Sequence, residues 1–193
     1  MRIIAGALKG QQLVTPRGHR TRPTADQVRI ALMDSLMPYL PGARFLDLFA
    51  GAGGVGLEAL SRGATRAVFV ESDPSASDAL RRNIAALRLA RQTRVVRGDV
   101  GRMLAMLAAQ AERFELVFLD PPYGTGLVDA TLARLGEGAL TEPSAIVVAQ
   151  HFTKQPPAET VGVLRAIRAR RFGETTLTFF RAGAYDAETP GGV

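Results

Sequence analysis

The chain has no cysteine, no tryptophan and only two histidines in 193 residues. Without thiols there is no disulfide framework, no thiolate nucleophile and no Cys-ligated zinc. His19 and His151 alone are too few for a histidine-rich metal site, so no metal is expected. No apolar run approaches the roughly 18 residues of a membrane-spanning helix, and no membrane contact is expected. The opening Met1-Arg2-Ile3-Ile4-Ala5-Gly6 is too short and too soon interrupted for a secretory h-region. Together these absences point to the cytoplasm. Acidic residues are scarce at the ends. Residues 1–44 hold two Asp/Glu against seven Lys/Arg, and residues 151–193 hold four against six. The middle, 45–150, is nearly balanced at twelve against eleven. Basic flanks beside a neutral centre suit a polyanionic partner such as nucleic acid, although an arginine-biased composition would look the same.

The sequence is rich in apolar residues, at 47%, which is the composition of a globular chain. Its length suits one α/β domain with a small appendage. Residues 2–7 and 11–15 around Leu8-Lys9-Gly10 read as a hairpin. A helix opens near Thr24, where Thr24 and Gln27 form a capping-box pattern. Its apolar positions Val28, Leu32 and Leu36 keep helical spacing up to Pro41. From there short apolar strands at 44–49, 66–71, 93–97, 115–119 and 144–149 alternate with helical patterns at 54–62, 74–90, 100–111 and 126–136. That rhythm predicts a parallel sheet covered on both faces. Residues 164–172 and 175–180, around Gly173-Glu174, read as an antiparallel hairpin on one sheet edge. The domain reading is an appendage over 1–40, a main domain over 41–183 and a disordered tail over 184–193.

Two motifs about seventy residues apart carry the chemistry. In the first, Phe45-Leu46-Asp47-Leu48-Phe49 runs into Gly51-Ala52-Gly53-Gly54-Val55-Gly56, a strand entering a G-x-G-x-x-G loop before a helix. Glycines there let a nucleotide-like cofactor approach the backbone. Glu71 ends the next strand, where a carboxylate can accept from ribose hydroxyls. To this point a nicotinamide enzyme and an S-adenosylmethionine (SAM) enzyme read alike. Asp47 favours SAM, because an acid at that position suits a cationic amino-acid moiety and repels a pyrophosphate. Asp99, ending the third strand, can accept from an adenine amino group; its alternative role is to cap the following helix.

The second motif is Asp120-Pro121-Pro122-Tyr123 after the strand Val117-Phe118-Leu119. The prolines fix φ and carry no N–H, so the turn is stiff and the Pro121 carbonyl is steadily aimed. A carboxylate, a carbonyl and an aromatic face together describe a clamp for an amino group on a flat base.

This pairing of D-x-F-x-G-x-G with D-P-P-Y resembles the SAM-dependent amino-group methyltransferases. More narrowly, the chain resembles the RsmD family of 16S rRNA guanine-N2 methyltransferases. The likeness includes Arg2-Ile3-Ile4-Ala5-Gly6, Arg22-Pro23-Thr24, Leu57-Glu58-Ala59-Leu60-Ser61-Arg62-Gly63-Ala64 and Thr176-Leu177-Thr178-Phe179-Phe180. The resemblance implies a Rossmann-like class I fold with a mostly parallel seven-stranded sheet, a C-terminal antiparallel hairpin and an N-terminal hairpin and helix. It implies SAM held by Asp47, Phe49, Gly51 and Gly53 on the methionine side, Glu71 and Ser72 at the ribose, Asp99 and Val100 at the adenine, and the first helix, with Arg22 and Thr24, as a cover. It implies Asp120, Pro121, Pro122 and Tyr123 on the target guanine, nucleotide 966 in the family's conventional numbering. The partner implied is 16S rRNA in a 30S subunit or assembly intermediate, bound by a monomer. Lys9, Arg17, Arg20, Arg165, Arg168, Arg170 and Arg171 are the candidate phosphate contacts. The chain departs from the family after Val28-Arg29, where Ile30 stands in place of a glutamate. Rival readings are an adenine-N6 or protein-glutamine methyltransferase, a Rossmann dehydrogenase, and a non-catalytic RNA-binding protein.

Overall fold

Each apolar strand divides its side chains between two layers, as the two-residue period of a strand requires. In the computed structural model, which describes residues 1–16 and 23–183, the strands are β1 (Arg44–Leu48), β2 (Arg66–Glu71), β3 (Thr93–Arg97), β4 (Phe114–Leu119), β5 (Thr141–Phe152), β6 (Thr160–Val161), β7 (Leu164–Phe172) and β8 (Thr175–Ala182). They form one sheet in the order β3-β2-β1-β4-β5-β8-β7-β6. Strands β3 to β5 run parallel, and β8, β7 and β6 complete the sheet in antiparallel fashion. Phe45, Phe69, Phe118, Val148 and Phe179 face one layer; Leu46, Val68, Val117, Val147 and Phe180 face the other. The first layer holds helices α1 (Pro23–Leu36), α2 (Gly54–Ser61) and α3 (Pro74–Ala86); the second holds α4 (Val100–Ala109) and α5 (Leu127–Gly136). The α/β class, the parallel sheet and the antiparallel ending are as the sequence predicts.

Several details differ. Among the described residues the sheet has eight strands, not seven, because the two-residue β6 pairs with β7 at the edge. The N-terminal hairpin forms around one antiparallel bridge, Arg2 to Gln12, with Ile3 N donating to the Gln11 carbonyl, Gly10 N to the Ile3 carbonyl and Leu13 N to the Met1 carbonyl. Side chains of α2 and α3 hold it as well: Glu58 accepts from Ile4 N and Ala5 N, Ser61 Oγ accepts from Leu8 N, and Asn83 Oδ1 accepts from Val14 N. Ile3, Leu13, Val28 and Leu32 belong to the same buried cluster as Phe45 and Phe69, so the first 40 residues share the main core. Helix α1 begins at Pro23, whose fixed φ suits a first helical position, and Thr24 therefore lies inside the first turn and not at the cap. Helix α3 ends at Ala86, four residues before the predicted end, because Arg88 takes a left-handed φ of 59°. Arg17, Arg20, Arg22 and the tail 184–193 lie outside the described residues.

Candidate active site

The strand order reverses between β1 and β4, and ligands of open α/β sheets bind beyond the strand ends at such a switch point. Register makes this concrete: Leu48 pairs with Leu119. The residues that follow are Phe49 and the glycine loop on one side, and Asp120 with its two prolines on the other. Two motifs seventy residues apart thus extend from hydrogen-bonded neighbouring strands.

The glycine loop is held from several directions. Gly51 N donates to Glu71 Oε2 at 2.7 Å, Gly56 N to Asp47 Oδ2 at 2.8 Å, and Asn83 Nδ2 to the Ala52 carbonyl at 2.9 Å. Phe49 carries a left-handed φ of 59°, a conformation that costs a non-glycine residue about 1–3 kcal/mol and persists only when its surroundings enforce it. Gly53 also has a left-handed φ, of 84°, and a Cβ there would stand 2.4 Å from Leu80 Cδ1. Gly51 is different: its φ is 55°, yet a Cβ would meet nothing within 4 Å. Its open side is where a ligand can reach the backbone.

Electrostatics distinguish the possible ligands. Asp47 is 1% exposed, and its carboxyl is held well above the usual range, first by burial and then by the negative charges of Asp120 and Glu71, against a hydrogen bond from Gly56. Burial raises the Asp120 carboxyl to about 7. Three acids therefore converge on the loop, and among the described residues no Lys or Arg offsets the charge of Asp47 or Asp120. Such a site attracts a cationic ligand and repels a pyrophosphate. Among the described residues no cluster of His, Asp and Glu could hold a metal.

The remaining sequence candidates fall as follows. Glu71 is buried, with both oxygens engaged, from Gly51 N and Asp73 N. Each oxygen keeps a lone pair for a ribose hydroxyl. Ser72 is exposed beside it, and Val100 is buried at the start of α4. Asp99 caps α4, with Oδ1 accepting from Arg102 N at 3.0 Å, so one oxygen is already committed to the helix. Pro121 is buried, Pro122 and Tyr123 are exposed, and the Pro122 carbonyl accepts from Thr125 Oγ1. The Tyr123 hydroxyl lies 2.8 Å from Thr175 Oγ1, and its ring packs against Phe152 at 6.0 Å with a 36° tilt.

Among the described basic candidates, those of β7 are spread along the strand. Arg165 sits opposite Arg181, while Arg171 sits opposite Thr176, close to the Tyr123 end. Six residues of strand at about 3.3 Å each separate Arg165 from Arg171. Arg170 is spoken for: it donates to the Ala31 carbonyl and Ser35 Oγ of α1, both at 3.1 Å, and lies over the Phe172 ring. Through Nη1 it ties β7 to α1, which none of the other candidates on that strand does. Arg165, Arg168, Arg171 and Lys9 are exposed.

Sequence reasoning missed Phe152, Thr175 and His151. Phe152 is the last residue of β5, three beyond Ala149, which pairs with Leu119 of β4, and an aromatic at that strand end was the available signal. Thr175 arrives from β8 through antiparallel pairing with Phe152, which no local pattern announces.

The comparisons with known proteins agree with this geometry. The family model described as conserved hypothetical protein 95 matches residues 1–181. Ribosomal RNA small subunit methyltransferase D of Escherichia coli strain K12 is 37% identical over 147 residues, covering 76% of this chain and 72% of that protein. The chain belongs to the RsmD family. The Haemophilus influenzae protein of the same name is 32% identical over 156 residues, covering 81% of each chain. A solved structure of a hypothetical protein from Thermus thermophilus superposes with a TM-score of 0.79 at 36% identity, covering 93% of this chain and 98% of that one. As a member of this family the chain is a SAM-dependent methyltransferase. Its residues fit the cofactor: the open side of Gly51 admits it, and the convergent acids match a ligand bearing an ammonium and a sulfonium.

Proposed function

We propose that this chain methylates the exocyclic N2 amine of a guanine in 16S rRNA, nucleotide 966 in the family's conventional numbering, within a small subunit or its assembly intermediate. The observation that carries the reading is the Asp120-Pro121-Pro122-Tyr123 turn, beside the glycine loop at the sheet's switch point, with its one carboxyl half-buried and raised by desolvation to about 7. The names of the Escherichia coli and Haemophilus influenzae relatives, and the exposed arginines of β7, support an RNA substrate.

The mechanism follows from positioning. The lone pair of a guanine 2-amino group is delocalised into the ring, so the free amine is a poor nucleophile. Asp120 and the Pro121 carbonyl accept its two N–H bonds and turn the nitrogen lone pair toward the cofactor. Bound SAM supplies a sulfonium-activated methyl group. Fixing the two reactants in line contributes up to about 7–11 kcal/mol. Tyr123 stacks on the base for about 1–3 kcal/mol, which offsets the unstacking of that base from its helix. The nitrogen sheds a proton as the methyl arrives. Asp120, held by burial at about 7, suits its acceptance near neutral pH. Asp47 stays beneath the loop, where it orients Gly56 and faces the cationic end of the cofactor.

The test is nucleoside analysis and mapping of 16S rRNA from a strain lacking this chain, with purified protein and tritiated SAM added back. We expect one N2-methylguanine to vanish in the deletion and return with the protein. Return of N6-methyladenine, or label only in protein, would replace the guanine reading.

A further inference from the structure

A second cavity adjoins the turn. It has a volume of about 270 Å³ and is bordered by Pro122, Tyr123, residues 124–129, His151 and Phe152 of β5, and Gln155 just beyond that strand. It shares Pro122 and Tyr123 with the turn, but Asp120, Pro121 and the glycine loop do not border it, so it holds neither the two amine acceptors nor the cofactor loop. Its volume is just below the roughly 300–1,000 Å³ of sites that take a whole drug-sized ligand, and suits one flat ring system.

Its walls are fixed. The Phe152 carbonyl accepts from Gln155 N at 2.9 Å and contacts His151 Nδ1 at 3.0 Å. A carbonyl can only accept, so Nδ1 donates to it, and Nε2 lies 2.8 Å from Thr178 Oγ1. His151 is buried and locks the backbone from which Phe152 projects. Tyr123 and Phe152 give aromatic surface, and Asp129 and Gln155 give polar edges. The carboxylate of Asp129 argues against a phosphate in the cavity and for a neutral ring carrying N–H donors. Cations stand just outside. Lys154 is exposed between Phe152 and Gln155, and Arg171 Nε donates to the same Gly173 carbonyl that accepts from Thr153 Oγ1. Glu174 opposes them at the hairpin turn.

We infer that this cavity is a second nucleobase subsite, which takes the base next to the target guanine on the same RNA strand. The inference rests on the RNA-methyltransferase reading above. Tyr123 is the shared wall: the target base stacks on it from the clamp side, and the neighbouring base enters between Phe152 and Asp129. Lys154 and Arg171 then meet the connecting phosphates.

The test uses small subunits reconstituted with 16S rRNA carrying an abasic residue on one or the other side of the mapped guanine. Loss of one neighbouring base should lower kcat/KM at least tenfold, and loss of the other should change it little. A Val128→Trp variant fills the cavity from α5 and leaves the Asp120–Tyr123 turn intact. It should lose as much on intact RNA and be insensitive to the abasic residue. Gln155→Ala, on the exposed rim, should lose several-fold, again only when the base is present. SAM affinity should be unchanged in both variants. Wild-type protein that is indifferent to both abasic substrates overturns the subsite, and that arm needs no variant to fold. Wild-type protein that methylates no RNA at all overturns the function reading first, so the two failures are distinct.

Discussion

The two sides of the switch point are built differently. On the β1–β2–β3 side the polar groups around the cofactor loop are buried and paired: Glu71 with Gly51 and Asp73, Asp47 with Gly56, Asn83 with Ala52 and Val14. On the β4–β5–β8 side Tyr123 is 45% exposed, the loop after it carries left-handed Gly124 and Gly126, and Asp120 is half-buried with no cation beside it among the described residues to offset the cost of its desolvation. One side is a preformed seat. The other holds an unrelieved charge and an open aromatic rim that the substrate completes. Removing a group from the second side should therefore cost turnover and not stability, while removing one that only braces the scaffold behind the first should cost stability and not turnover.

Asp120→Ala is the strongest test of that difference. It removes the acceptor that orients the amine, and methyl transfer should fall about 10³-fold, within the range seen when one preorganised electrostatic partner is removed. SAM affinity and the melting temperature should stay at or above wild-type values. A collapse of SAM binding would mean that the two sides are not separable.

The complementary change is Glu58→Ala. Glu58 is fully buried on α2, accepts from two backbone N–H groups of the N-terminal segment and pairs with Arg62 Nε at 2.9 Å. Its loss leaves the buried Arg62 guanidinium with only the exposed Asp34 at 3.3 Å and strands two amides, so unfolding stability should drop by about 3 kcal/mol in denaturant titration. A chain of this length loses about 2–4 °C per kcal/mol. Residual folded protein should keep its kcat, since Glu58 faces the N-terminal segment and not the site.

These expectations bear on what could be read from the chain. The strand–helix rhythm was legible because each parallel strand is apolar on both faces and glycines or charges bound it. Phe45 and Leu46 go to opposite layers, yet both are apolar. The chemistry at Asp47, Glu71 and Asp120 was legible because each lies in, ends or follows a strand with a recognisable local pattern. The N-terminal hairpin was legible as a pair of short segments around a turn, but what docks it was not: Glu58, Ser61 and Asn83 lie 53 to 69 residues away. Nor could the sequence show the bonds from Arg170 to α1, whose partners are 135 and 139 residues distant.

The charge on Asp120 gives a pH signature that the cofactor side lacks. Its folded value, about 7, lies above the ordinary carboxylate value because burial penalises the ionised form. Below about 7 the group is protonated and no longer the acceptor the amine needs. kcat/KM should fall about tenfold per pH unit there and level off above it, and Asp120→Asn should flatten the profile at a low rate. Stability carries the opposite sign. The cost of ionising the half-buried group is absent near pH 4 and complete above about 7. Asp120→Asn should therefore raise the melting temperature at pH 8 and have little effect near pH 4.

The smallest effects should separate the arginines of β7. Arg168 and Arg171 are exposed, and Arg170 is tied to α1. If the first two meet phosphates, each alanine substitution should weaken RNA binding a few-fold at moderate salt and reduce the salt slope by about one unit for each phosphate no longer neutralised. Arg170→Ala should leave the slope alone and lower the melting temperature, because two hydrogen bonds to α1 go with it. A slope change in Arg170→Ala equal to that in Arg171→Ala would instead mean that α1 and the hairpin part when RNA binds, with Arg170 exchanging its helix partners for a phosphate.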